Sequence, residues 1–194
     1  MYEYIESYAT AYNLPQTLQA LPFAREKHKG QFRKGPEGQQ DPYISHPVDM
    51  ACHAIAMGLT DDRFLAAILL HDVCEDCNVA PEELPVSEEI QEAVALVTKT
   101  DGYSKDAYFG QIGENPIASM VKLIDRCHNV SHMALAFSRE KLWEYIEETR
   151  DYVLPIMEKV LEAWPEYQTQ CFLLNYQINS VLQTVEALLE REDL

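Results

Sequence analysis

The chain has 194 residues, 47% of them apolar, with only seven glycines and a formal charge of −17 from 15 basic and 32 acidic side chains. That length and composition suit one domain spanning residues 1–194 with a substantial core. A field of this sign repels nucleic acid and anionic membrane, so neither is expected as a partner.

The opening MYEYIE lacks the basic start and apolar stretch of a signal peptide. The longest apolar run, FLAAILL at 64–70, is too short to cross a bilayer. Five cysteines, at 52, 74, 77, 127 and 171, form an odd set without the spacing of a disulfide framework. They read as reduced thiols, and the protein as cytoplasmic.

Apolar residues recur every three or four positions with little strict alternation, which predicts helices throughout. The first covers about 3–11 and the second about 15–30, with Pro15 in its first turn. Residues 31–42, QFRKGPEGQQDP, are expected as a loop from their glycines, prolines and polar side chains. A third helix is expected over 47–57, stopping at Gly58. The fourth, capped by Thr60 or Asp61, covers about 61–74; its FLAAILL stretch is apolar on every face, which places it centrally. An acidic linker with Pro81 and Pro85 follows, then a helix over 87–99 and a short one from Ser104. Asn115 as cap and Pro116 at the first position open a long helix to Ala136. Helices over about 138–160 and 168–191, separated by Trp164 and Pro165, complete an all-α bundle without internal repeat or linker.

Three places in this frame carry chemistry. The apolar fourth helix ends in His71, Asp72, Glu75 and Asp76, which helical spacing brings to one side. Burying such a cluster without compensation costs several kcal/mol. A divalent cation held by imidazole and carboxylate would compensate it; a helix end surfacing into water would also explain it. On the long helix, Asp125, His128, Asn129 and His132 fall at i, i+3, i+4 and i+7. Asp and Asn are poor interior helix formers unless their side chains are engaged. That stripe is either a solvated face or a second wall of the same site. His46, before Pro47, stands at the entrance of the third helix, where a side chain can point across a cleft.

Several strings then match a known family in order and approximate spacing. AREKHKGQFRKG and PYISHP, LAAILLHDVCED with VTK after it, VKLIDRCHN and ETRDYVLPI together resemble the hydrolase domain of RelA/SpoT-type alarmone enzymes, over about residues 20–157. The resemblance implies a helical HD-domain fold and a catalytic divalent metal, usually manganese, with Fe²⁺ or Zn²⁺ as alternatives. It assigns His46, His71, Asp72 and Asp125 as metal ligands. Glu75 and Asp76 become the acidic pair that handles the attacking water, and Asn129 an amide that holds substrate near the metal. Arg33 and Lys34 become the basic pair that meets the nucleotide, with Tyr43 bordering the pocket. The implied reaction removes pyrophosphate from the 3′ position of guanosine tetra- or pentaphosphate.

The chain departs from the family pattern in places. The segment between Lys34 and Pro42 is longer than in most relatives, which leaves guanine and adenine both open. His132 stands near a position where many relatives carry Thr. The alternatives are a phosphohydrolase acting on another nucleotide, as a 5′-nucleotidase or NADPH 2′-phosphatase, and a nucleotide-binding module without turnover. The Cys74/Cys77 pair lacks the setting of a zinc or redox motif, His28 is expected in a supporting role, and the acidic runs at 82–83, 88–89 and 147–148 are expected as solvated helix faces.

Overall fold

A computed structural model describes residues 1–34, 40–100 and 102–191 of the chain. Helices α1 (Tyr2–Ala11) and α2 (Pro15–Lys27) lead into a small antiparallel hairpin, β1 (Phe32–Lys34) and β2 (Gln40–Pro42), with Arg33 opposite Asp41. The sequence reading expected an irregular loop here, because strands three residues long are too short to display alternation. The segment within that loop at 35–39, and the Lys34 side chain, lie outside the described residues.

Helix α3 (Ser45–Ala56) ends where Gly58 takes φ +78°, the left-handed conformation that closes helices at low steric cost. Helix α4 (Asp62–Leu70) starts on Asp61, whose carboxylate accepts from the Arg63 N–H at 2.9 Å. The next carboxylate works across the fold. Asp62 accepts from the backbone N–H groups of Gln16 and Thr17 at 2.9 and 2.8 Å, satisfying orphan donors at the start of α2. The sequence thus ties α2 to α4 through one side chain.

Every residue from Phe64 to Leu70 is at most 2% exposed, so α4 is the central helix its composition predicted. Burying each large apolar side chain there contributes roughly 1.5–3 kcal/mol. The helix is shorter than expected. Asp72 sits at φ −99°, ψ −4°, and a separate turn, α5 (Val73–Cys77), closes on left-handed Asn78. The His71 ring contributes to this break, since its Nδ1–H donates to the Ile68 carbonyl at 2.8 Å.

Helices α6 (Glu88–Val97) and α7 (Lys105–Ile112) follow, then α8 (Pro116–Ala136) with the predicted bounds. The Asn115 side chain caps α8 by accepting from the Ala118 N–H at 2.9 Å. Helices α9 (Arg139–Glu148) and α10 (Leu154–Ala163) are joined by a π-helical turn, Thr149–Val153, where an unbroken helix was expected. Pro155 lacks an N–H and crowds the carbonyl one turn back, so a wider turn upstream relieves the conflict. Helix α11 (Gln168–Leu189) packs along α8. One continuous apolar cluster runs from Ile5 to Leu189, with α4 and α8 contributing much of its centre. Among the described residues no helix is long and apolar enough to cross a membrane.

Candidate active site

Helices α3, α4 and α8 each deliver one side chain to a single buried point. His46, in the first turn of α3, is 2% exposed; His71, just past α4, 4%; and Asp125, midway along α8, 7%. Asp125 Oδ1 lies 3.4 Å from His46 Nε2 and 3.8 Å from His71 Nε2. One ligand atom from each of the three lies within 4.8 Å of the other two. Asp72 approaches both imidazoles, with Oδ2 2.9 Å from His71 Nε2 and 3.7 Å from His46 Nε2, though it falls outside that mutual group of three.

The chemistry of this donor set fits a small divalent cation. His71 Nδ1 faces a carbonyl and carries the proton, which leaves Nε2 to point inward. That buried nitrogen has no well-formed hydrogen bond among the described residues, although a carboxylate oxygen stands 2.9 Å away. Ligands roughly 2.1 Å from an ion and at right angles stand about 3 Å apart, close to the separations found here. Without a cation the cluster leans on a proton. Burial lowers the proton affinity of His71, but the Asp72 carboxylate outweighs it and raises His71 above the usual imidazole range. Burial alone would raise Asp72 and Asp125; His71 and Lys122 respectively hold both carboxyls low.

A second ring fixes the first. Lys122 Nζ–H donates to Asp125 Oδ2 at 3.1 Å, and Asn129 Nδ2–H donates to Asp125 Oδ1 at 2.6 Å. Arg33 then donates to Asn129 Oδ1 at 2.6 Å, so β1 is latched to α8 across the cleft. The other Arg33 terminal nitrogen, Nη1, is buried without a hydrogen-bond partner among the described residues, a donor suited to an anionic oxygen. Tyr43 donates to Asp72 Oδ2 at 2.5 Å and stacks on the buried His28 at 4.6 Å. Burial and the Asp72 charge push the Tyr43 phenol far up, so it stays a donor.

The acidic pair behind the cluster is more open. Glu75 and Asp76 are exposed and line the same pocket of about 180 Å³ as Arg33, Tyr43 and the inner residues. The Glu75 Oε2 accepts from the Lys99 N–H at 3.0 Å. A larger hollow of about 450 Å³ adjoins, sharing Arg33, His46 and Asn129 and walled by Met133, Leu135 and Phe137. The polar stripe of α8 therefore divides. Asp125 is buried, His128 and Asn129 are half-buried, and His132 is exposed; the open choice between solvated face and site wall resolves residue by residue.

Sequence reasoning missed five polar or aromatic pocket residues: Lys99, Lys122, Arg126, Tyr145 and Glu148. Arg126 is 2% exposed, lies 3.9 Å over the Tyr145 ring, and donates to Thr149 Oγ1 at 3.0 Å and Glu148 at 2.7 Å. Glu148 also pairs with Lys105 at 2.7 Å. The expectation that 147–148 form a solvated face holds for Glu147 and fails for Glu148, which the start of the π turn carries inward. The available signal was Lys122 and Arg126 at i and i+4 flanking Asp125 on α8. Basic residues in a helix ordinarily read as surface. Arg33, Lys99, Lys122 and Arg126 thus set four cations among the carboxylates of Asp72, Glu75, Asp76, Asp125 and Glu148, with Lys122 and Arg126 already paired to Asp125 and Glu148.

The HD-domain family model matches residues 20–115. The guanosine-3′,5′-bis(diphosphate) 3′-pyrophosphohydrolase MESH1 of Mus musculus is 33% identical over 144 residues, covering 68% of this chain and 79% of its own. The guanosine-3′,5′-bis(diphosphate) 3′-pyrophosphohydrolase of Aquifex aeolicus is 33% identical over 157 residues, 75% of this chain and 21% of that longer protein. A solved structure, described as a metazoan ortholog of SpoT that hydrolyzes ppGpp, superposes with a TM-score of 0.64 at 21% identity. It covers 87% of this chain and 94% of its own, a likeness of fold.

Proposed function

Since this chain belongs to the HD-domain family that includes the guanosine-bis(diphosphate) 3′-pyrophosphohydrolases, we propose that it hydrolyses the 3′-pyrophosphate of a guanosine or adenosine tetra- or pentaphosphate. The observation that carries the reading is the convergence of His46, His71 and Asp125, with Asp72 against them, beside the buried Nη1 of the Arg33 guanidinium. His46, His71, Asp72 and Asp125 would hold one divalent ion, with Mn²⁺ the first choice and Fe²⁺ or Zn²⁺ the alternatives. When bound, such an ion neutralises phosphoryl charge and acidifies water beside it.

The chain's own residues do the rest. Water attacks the phosphorus attached to the 3′ oxygen, that O–P bond breaks, and pyrophosphate leaves the nucleoside 3′-hydroxyl behind. Glu75, with Oε2 held by the Lys99 N–H, offers its second oxygen to the water's proton. Asp76, in the same turn, is placed to return a proton to the departing 3′ oxygen. Arg33 and the Lys34 of β1 bind the phosphates, the Arg through the fork that suits paired oxygens. Asn129, between Arg33 and Asp125, keeps the substrate end of the pocket in register with the ion site. The apolar hollow beyond Arg33 has room for a base. A small-molecule nucleotide is thus the partner, in the reducing cytoplasm that five free thiols suit.

The test is a product assay with guanosine and adenosine 3′-pyrophosphates, NADPH and nucleoside 5′-monophosphates, each with Mn²⁺. Pyrophosphate should appear from a 3′-pyrophosphate substrate and vanish in Asp72→Ala. Orthophosphate from NADPH or a monophosphate alone would move the reading to a different phosphohydrolase. Absence of turnover on every substrate would leave a binding module.

A further inference from the structure

The site described above leaves one imidazole unaccounted for. His128 lies on α8 one turn from Asp125, half-buried, and its Nδ1 stands 3.0 Å from His46 Nδ1. The two rings are tilted at 60° with centroids 4.6 Å apart, an edge-on approach through the nitrogens. Two ring nitrogens at this distance must share a single proton, so one donates and the other accepts.

His46 settles which. Its Nε2 faces the Asp125 and Asp72 carboxylates and the point they share with His71. For that nitrogen to present a lone pair, the proton must sit on Nδ1, which then donates to His128 Nδ1. His71 achieves the same state by another route, its Nδ1–H donating to the Ile68 carbonyl. A histidine ligand generally has its second nitrogen held by a carbonyl or carboxylate, which sets tautomer and ring orientation. Here His71 uses a main-chain acceptor, and His46 is left with an imidazole.

We propose that His128 is a positioning residue: as a neutral ring protonated on Nε2, it accepts the His46 Nδ1–H and thereby fixes His46 with its Nε2 lone pair on the cation site. The inference rests on the metal reading of the preceding subsection. It assigns His128 no contact with the reacting atoms. Replacing the ring with one of similar volume but no acceptor frees His46 to rotate or to adopt the other tautomer, and cation affinity falls. Loss of such an outer partner typically weakens a site by about 10–100-fold.

The experiment measures binding of Mn²⁺ alone, by loss of the free-ion electron paramagnetic resonance signal, to wild type, His128→Phe and His128→Asn. The Asn carbonyl oxygen can stand where Nδ1 stands and restore the acceptor. Circular dichroism melts in chelator establish that each variant is folded. The expected result is a dissociation constant about 10–100-fold higher for His128→Phe and within about threefold of wild type for His128→Asn. Nitrogen-15 spectra of the imidazoles should show His128 protonated on Nε2 and His46 on Nδ1 in the wild type. A folded His128→Phe that binds Mn²⁺ like wild type overturns this inference while the metal reading stands. Equal weakening in both variants also overturns it, because ring packing and not the acceptor would then matter. A wild type that takes up no ion removes the metal reading and this inference together.

Discussion

Lys122 offers a stringent test of how the site balances its charges. The side chain is 8% exposed, yet its ammonium donates to Asp125 at 3.1 Å. Burial should discharge it, but the Asp125 carboxylate outweighs burial and raises its proton affinity, so it remains charged. Lys122→Met keeps most of the aliphatic stem and deletes the cation. Breaking a buried pair from one side costs about 3–5 kcal/mol, because the remaining charge stays desolvated. The Asn129 amide still donates to Asp125 Oδ1 at 2.6 Å, which argues for the low end, about 3 kcal/mol. For a chain of this size each kcal/mol moves the melting temperature by about 2–4 °C, so the loss should be roughly 6–12 °C. Urea denaturation and thermal melts of the variant and wild type, each in chelator and in saturating Mn²⁺, read the two numbers. In chelator the full penalty should appear. In Mn²⁺ it should shrink to about half or less, because a cation beside Asp125 replaces the missing charge. An equal penalty in both conditions would refute the claim that Asp125 faces the ion. A loss below about 1 kcal/mol in chelator would refute the claim that Lys122 neutralises Asp125.

Two further outcomes are expected. Glu75→Gln should lower kcat by about 10²–10⁴-fold and leave Mn²⁺ content unchanged; loss of the ion in that variant would make Glu75 a ligand instead of a base. Glu148 makes stability depend on acid: burial alone would raise its carboxyl, but hydrogen bonds from Arg126 and Lys105 hold it at about 2, below the ordinary 4.5. A carboxylate lowered on folding contributes stability that is complete above 4.5 and disappears as pH falls towards about 2. Thermal melts across that window should therefore fall less steeply for Glu148→Gln than for wild type, and parallel slopes would contradict the pairing.

Much of this protein can be read from residue order alone. The all-round apolar FLAAILL segment was expected as a buried central helix, and it is one. Asn115-Pro116 marked the start of α8 to the residue, since capping chemistry is local. Of the residues the resemblance named, all but Lys34, whose side chain lies outside the described residues, line one pocket, because motif order survives where overall identity is low. Other features were illegible for physical reasons. A hairpin of three-residue strands shows no alternation, and its pairing depends on contacts between segments. The π turn arises from a conflict between Pro155 and the preceding carbonyl that a period of 3.6 does not register. Arg126 and Glu148 look like surface charges in sequence and become inner pocket walls only when α9 folds against α8. Local chemistry thus determined where the main helices form and which side chains have the means to bind an ion and a phosphate. Only tertiary structure decided which of those charges lose their water and meet one another, since desolvation and pairing belong to the packed assembly and not to any single helix.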